Sequence, residues 1–187
     1  MVPVGGVEVM LLGAGLSGLV LLGLAIVLQR RTGVVWAWAF AGLVWSLVVI
    51  ALVTLLPAQG DPGVVYAEDR LGTCSFDLGG PAPDGFWIFP GGQRLLNVLI
   101  FVPPGALMVV AAARWRAGRV LAPLGLGLLA AYSVGIEWTQ LELARLDRAC
   151  DVTDVVDNVA GAVLGAGAGL LLLPVLRPWR ARRRATG

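Results

Sequence analysis

No histidine occurs anywhere in the 187 residues, and no lysine either. Without histidine the Ser-His-Asp and Cys-His nucleophile systems are excluded, as are zinc sites ligated by imidazole. Any chemistry has to run on carboxylates, arginine, asparagine, glutamine or a bound metal. The missing lysine, together with the abundance of Gly and Ala, reads as the bias of a GC-rich genome. Charge is scarce: 14% of residues carry it, against about 25% in soluble domains. Cysteine is limited to Cys74 and Cys150, too far apart to make a metal motif by themselves.

Apolar residues make up 58% of the chain and gather in long blocks, the pattern of a polytopic membrane protein. Five runs are expected to span: Val9 to Leu28, Val34 to Leu56, Leu95 to Ala113, Val120 to about Trp138, and Val155 to Leu176. The expected fold is therefore all-α, a single membrane domain over 1–187 built as a five-helix bundle. Glu8 precedes the first run and Arg30-Arg31 follow it, the reverse of a cleaved signal peptide, so 9–28 is expected to stay as a transmembrane helix. Gly13, Gly15, Gly18 and Gly23 in that run either let a neighbour approach closely or reflect the ordinary glycine content of membrane helices. Trp36, Trp38 and Trp45 sit in the second run, two of them near its end where tryptophan anchors to head groups. Pro103, Pro104 and Gly105 interrupt the third run, and Pro104 removes a backbone hydrogen bond there, which predicts a kink.

Between the second and third runs, Pro57 to Arg94 is a long segment rich in Gly, Pro and Asp. Structureless segments of this length are usually functional or mobile. Its aromatic FWIF, Phe86 to Phe89, either lies on the membrane surface or fills space over the bundle.

Charge sorts by segment. With the N-terminus outside and the C-terminus inside, the inner segments hold ten arginines: Arg30, Arg31, Arg114, Arg116, Arg119, Arg177, Arg180, Arg182, Arg183 and Arg184. The outer segments hold the other four arginines and all twelve acids. Arginine bias of this kind orients membrane proteins. The basic tail 177–187 is read as a topology signal that touches anionic lipid and not as a nucleic-acid site. Cys74 and Cys150 then share the outer, oxidising side, where a disulfide between them is expected to staple the long segment over the next feature.

That feature is a concentration of polar residues between Ser133 and Gly165. Glu137 and Gln140 are one helical turn apart and share a face; Asp154 and Asn158 do the same on the next helix, with Gly161 and Gly165 continuing their stripe. Asn97, at the outer end of the third helix, lies at the same depth. Ionisable groups at the hydrocarbon boundary default to a functional role. Three readings remain open. In the first, Asp151 caps the fifth helix with Asp154 in a capping-box position, and Arg148 pairs with Glu137 or Asp154. In the second, Arg148, Asn97, Asn158 and Gln140 bind an anionic head group or a peptidoglycan-related ligand. In the third, Asp151 and Asp154 hold a divalent cation while Glu137 acts as base, the catalytic candidates being these three.

These residues resemble the VanZ-like family of bacterial membrane proteins. The family's N-x-x-x-F-x-P-x-G falls on Asn97, Phe101, Pro103 and Gly105; its E-x-x-Q on Glu137 and Gln140; its R-x-x-D-x-x-D-x-x-x-N-x-x-G on Arg148, Asp151, Asp154, Asn158 and Gly161. The TLLP at Thr54 to Pro57 is similar to the family's close of an early helix, and the likeness spans residues 34–173. The family's founding member is associated with low-level resistance to the glycopeptide teicoplanin. The resemblance implies that the matched polar residues form one site. The expected function is a cell-envelope protein, multi-pass in the cell membrane with its polar site outside, that binds or shields a lipid-linked cell-wall precursor or glycopeptide. An enzyme acting on a lipid or cell-wall precursor, and a structural partner of envelope proteins, are the alternatives. No cofactor is expected beyond that divalent cation.

Overall fold

A computed structural model describes residues 5–57, 74, 92–142 and 150–179. Among these described residues the elements are five α-helices: α1 Val7–Thr32, α2 Val34–Leu55, α3 Gly92–Ala112, α4 Gly118–Glu142 and α5 Val152–Leu176. All five are long and apolar enough to cross a membrane, and the chain is a multi-pass membrane helix bundle. The helices outrun the apolar cores that predict them. α1 takes in Glu8 in its first turn and Arg30 and Arg31 in its last, signs that complement the helix dipole. α3 begins two residues before Arg94, so this arginine stands on the helix and not in the preceding segment. α5 begins at Val152, which carries Asp154, Asp157 and Asn158 onto its first two turns. FWIF lies outside the described residues.

Burial is inverted relative to a soluble domain. Leu171 is 81% exposed and Val175 78%, whereas Ser133 is fully buried and Asn158 is 4% exposed. Apolar side chains on the outside and paired polar groups on the inside are what lipid as solvent selects. The apolar core draws on four helices: Ile50 of α2, Phe101 of α3, Leu129 and Ile136 of α4, and Ala162 of α5.

The closest pairing is between α3 and α5. A Cβ on Gly161 would strike the carbonyl of Val98, one on Gly165 the carbonyl of Val102, and one on Gly169 would come within 2.6 Å of the carbonyl of Ala106. The steps are four residues on both helices, so α3 and α5 run parallel in fixed register, as the third and fifth crossings of a chain that alternates direction must. From the other side, Gly105 has no room for a Cβ against the backbone of Ala162, and Pro104 beside it is fully buried. α3 runs as one helix through Pro103 and Pro104.

α1 packs on α2 and contributes a single buried hydrophobic residue, Ala25. Both readings of its glycines apply, at different positions. Gly13 faces Leu52 and Gly18 faces Trp45, while Gly15 and Gly23 face nothing within 4 Å. The space at Gly18 admits the Trp45 indole, whose Nε1 donates to the carbonyl of Ala14 at 2.9 Å. Trp45 is thus a mid-helix tie, whereas Trp38 bonds Gln29 Oε1 at 3.2 Å near the helix ends.

The glycines of α5 therefore separate by face. Gly165→Ala should destabilise by about 1–3 kcal/mol through overpacking against backbone, despite the better helix propensity of alanine. Gly167→Ala, which meets nothing within 4 Å, should be neutral or stabilise by up to about 1 kcal/mol. Thermal unfolding in detergent separates them; equal losses would mean that α3 and α5 do not touch as described.

Candidate functional site

The parallel α3–α5 pair and the antiparallel α4 bring the start of α3, the end of α4 and the start of α5 to one end of the bundle, beside the end of α2. Four polar links join these helices there. Two of them satisfy backbone groups that helix ends leave unpaired.

At the start of α5, Asp151 is the N-cap: its Oδ1 accepts from the N–H of Thr153 at 2.8 Å. The cap expected at this residue is present. The reciprocal bond of a capping box has a different source, because the N–H of Asp151 donates to Glu137 Oε2 at 3.0 Å. A carboxylate from α4 thus occupies the role that the sequence assigns to Asp154. Asp154 sits in the first turn with its N–H on the Asp151 carbonyl at 3.1 Å.

At the end of α2, the carbonyl of Thr54 has no partner within its own helix. Gln140 Nε2 donates to it at 3.0 Å. Glu137 and Gln140 are both 5% exposed and share a face of α4 as the spacing predicts, yet they reach in different directions, to α5 and to α2. One turn deeper, Asn158 Nδ2 donates to Ser133 Oγ at 2.9 Å, an amide–hydroxyl link between α5 and α4 with both partners out of solvent.

The fourth link was not legible as a pair. Arg94 donates from Nε to Asp157 Oδ2 at 2.9 Å and from Nη2 to Asp157 Oδ1 at 3.0 Å. This two-pronged geometry is the strong form of an arginine–carboxylate contact. Asp157 is 8% exposed and Arg94 51%, so the carboxylate is inside and the guanidinium reaches from the rim. The available signal was that Arg94 stands one turn before Asn97, and Asp157 directly before Asn158.

Asn97 is placed by register rather than by contact. Its neighbour Val98 meets Gly161, so it lies level with the Asn158–Gly161 turn of α5. Its Nδ2 is buried with no hydrogen-bond partner. Phe101, a turn deeper, is 1% exposed in the core with its ring centroid 6.4 Å from that of Tyr132. The Tyr132 hydroxyl donates to the Leu47 carbonyl at 2.7 Å, tying α4 to α2.

Cys150, buried directly before the α5 N-cap, forms a disulfide with Cys74. The staple lands next to the Asp151–Glu137 bond. Arg148 lies outside the described residues. Among those described, no three His, Cys, Asp or Glu side chains gather as a metal site. Chemically, the arrangement is a set of interhelical ties around one buried amide donor that lacks an acceptor.

The asymmetry of the Arg94–Asp157 pair sets the order of its variants. Arg94→Ala strands a carboxylate beneath the surface, whereas Asp157→Asn leaves an arginine that can turn to solvent. Arg94→Ala should lower the thermal midpoint more than Asp157→Asn, and the double variant should recover most of that loss. A double variant no better than Arg94→Ala would show that the pair is not the cause.

The family model described as VanZ/LLP1 matches residues 43–173. No curated protein and no solved structure matches the chain.

Proposed function

The chain belongs to the VanZ/LLP1 family, and from that premise we propose that it binds or shields a lipid-linked cell-wall precursor or a glycopeptide-like ligand at the outer rim of the cell membrane. The residues assigned to the site are Asn97, Glu137, Gln140, Arg148, Asp151, Asp154 and Asn158, with Arg94 and Asp157 added. The orientation rests on arginine bias, ten on the segments of one side against four on the other. It puts the polar end outside and the C-terminus inside, and the disulfide at the polar end supports an oxidising compartment there.

The observation that carries the binding reading is Asn97. In a cluster whose other described side chains have partners, its buried Nδ2 has none. An unsatisfied buried donor costs about 1–3 kcal/mol, and a ligand oxygen would remove that cost. Phosphate, sugar hydroxyl and peptide carbonyl oxygens all qualify, and both ligand classes are rich in them. Arg94, one turn toward the rim and half exposed, is held in place by Asp157 and would meet the anionic part of such a ligand.

Asn97→Ala distinguishes this from a purely architectural cluster. Because no protein bond is lost, the variant should be as stable as the parent or more so, while Asn158→Ala should lose about 1 kcal/mol with its Ser133 bond. In nanodiscs, saturable binding of a polyprenyl-pyrophosphate-linked muropeptide or of teicoplanin should weaken about tenfold in Asn97→Ala, equivalent to ~1.4 kcal/mol. The proposal fails if neither ligand binds the parent, or if Asn97→Ala unfolds as readily as Asn158→Ala. Stabilisation by Mg²⁺ that Asp154→Asn abolishes would instead favour a metal-dependent enzyme.

A further inference from the structure

The opposite end of the bundle has the reverse electrostatic problem. The described arginines there are Arg30 and Arg31 at the end of α1, Arg114 and Arg116 between α3 and α4, Arg119 in the first turn of α4, and Arg177 after α5. The described acids are Glu8, Glu137, Glu142, Asp151, Asp154 and Asp157, and every one of them belongs to the other end. No carboxylate among the described residues is therefore within reach of these cations.

Arg114 differs from the rest. Arg116 and Arg119 are exposed, and Arg177 spends its Nε on the carbonyl of Pro174 at 2.8 Å. Arg114 is partly buried, and its Nη1 is enclosed with no hydrogen-bond partner. Its guanidinium carbon lies 5.4 Å from the centroid of the Trp115 ring. Trp115 meets Trp36 edge-on at 6.2 Å, and Trp36 stacks on Phe40 at 5.1 Å. The ring face of Trp115 answers part of the arginine's charge, but the strong partner of a guanidinium, an oxyanion, is not supplied by the described residues.

We infer that this end holds an anionic phospholipid head group, with its phosphate on Arg114 and its glycerol region against Trp115. Three independent observations converge on that ligand. The cation is partly buried and under-partnered. The chain places no described acid at this end. Trp115 is 49% exposed beside the arginine, at the helix end where tryptophan sits among head groups. Phosphate esters are the anions that a membrane presents at that depth. The inference does not depend on the polar site at the other end.

The test uses the full chain purified in detergent, with phosphatidylglycerol, phosphatidylcholine or inorganic phosphate added. Native mass spectrometry counts retained lipid, and thermal unfolding reads stabilisation. Phosphatidylglycerol should be retained as a discrete one-lipid adduct and should raise the midpoint by several degrees; phosphatidylcholine and inorganic phosphate should do neither. Arg114→Ala should reduce the adduct about tenfold and abolish the shift. Arg116→Ala removes the same charge from an exposed position on the same turn and should leave both intact. Equal losses in the two variants would reduce the effect to diffuse attraction and overturn the site. An equal gain with phosphatidylcholine would overturn the anionic preference, and an equal gain with inorganic phosphate would overturn the lipid assignment. If Arg114→Ala does not fold, Arg114→Lys, which keeps the charge and loses the planar fork, should retain a weakened adduct. An unweakened adduct in that variant, or no phosphatidylglycerol adduct in the parent, overturns the proposal.

Discussion

The contact of bare helix backbone between α3 and α5 is the constraint from which the other features follow. Lipid tails are as apolar as leucine, so helices in a membrane gain nothing by hiding leucines from them. What remains is close approach: dispersion between backbones, Cα–H···O contacts to carbonyls, and interhelical hydrogen bonds. Gly161, Gly165 and Gly169 present no side chain to the carbonyls of Val98, Val102 and Ala106, and Gly105 returns the same courtesy to Ala162. A slip of α5 along α3 by a single residue would set Ala160 or Ala162 where only glycine fits. The register is thus fixed sterically, and with it the height of every polar group at the ends of the two helices.

The polar end inherits its order from that register. Arg94 and Asp157 can meet in a two-pronged pair because they stand at the same offset along α3 and α5 as Val98 and Gly161. α4 then adds three ties, and two of them serve main-chain groups: Glu137 to the N–H of Asp151 and Gln140 to the carbonyl of Thr54. In water such end groups would bond solvent. Here protein side chains, Glu137 and Gln140, supply the partners instead. Glu137 and Gln140 therefore perform an architectural task whatever else they do. Asn97 is set apart within the same cluster because its buried donor performs no such task.

Much of this was legible in the sequence, for reasons that differ by feature. The five crossings were readable because a span needs a long apolar run, a requirement stated directly in composition. The N-cap at Asp151 was readable because a cap is local. The disulfide was readable because arginine bias placed both cysteines on one side. Partner choice across helices was not readable. Asp154 stands at the right spacing for the capping box, but the N–H of Asp151 is taken by Glu137, fourteen residues before that cap and on another helix. Spacing reports which residues share a face and not which face is opposite. Arg94 was assigned to a connecting segment because the apolar run begins at Leu95, although the helix begins at Gly92. A polar first turn is invisible to a search for apolar runs, and the Arg94–Asp157 pair was lost with it.

The two ends of the bundle solve opposite problems with opposite means. At the acidic end, buried charge is answered from within: Asp157 by Arg94, Glu137 by a main-chain N–H. At the arginine-rich end the described chain contains no acid, so its cations must be answered by ring faces, carbonyls, water or lipid. A chain that kept its acids away from that end only to set its orientation would need no arginine below the surface, since exposed arginines bias topology equally well. Arg114, enclosed against Trp115 without an acceptor for Nη1, exceeds what orientation requires. The same reasoning applies to Asn97 at the other end. There Glu137, Gln140 and Asn158 show that this fold can pair what it buries, and the unpaired Nδ2 of Asn97 is where the proposed ligand would supply the missing acceptor.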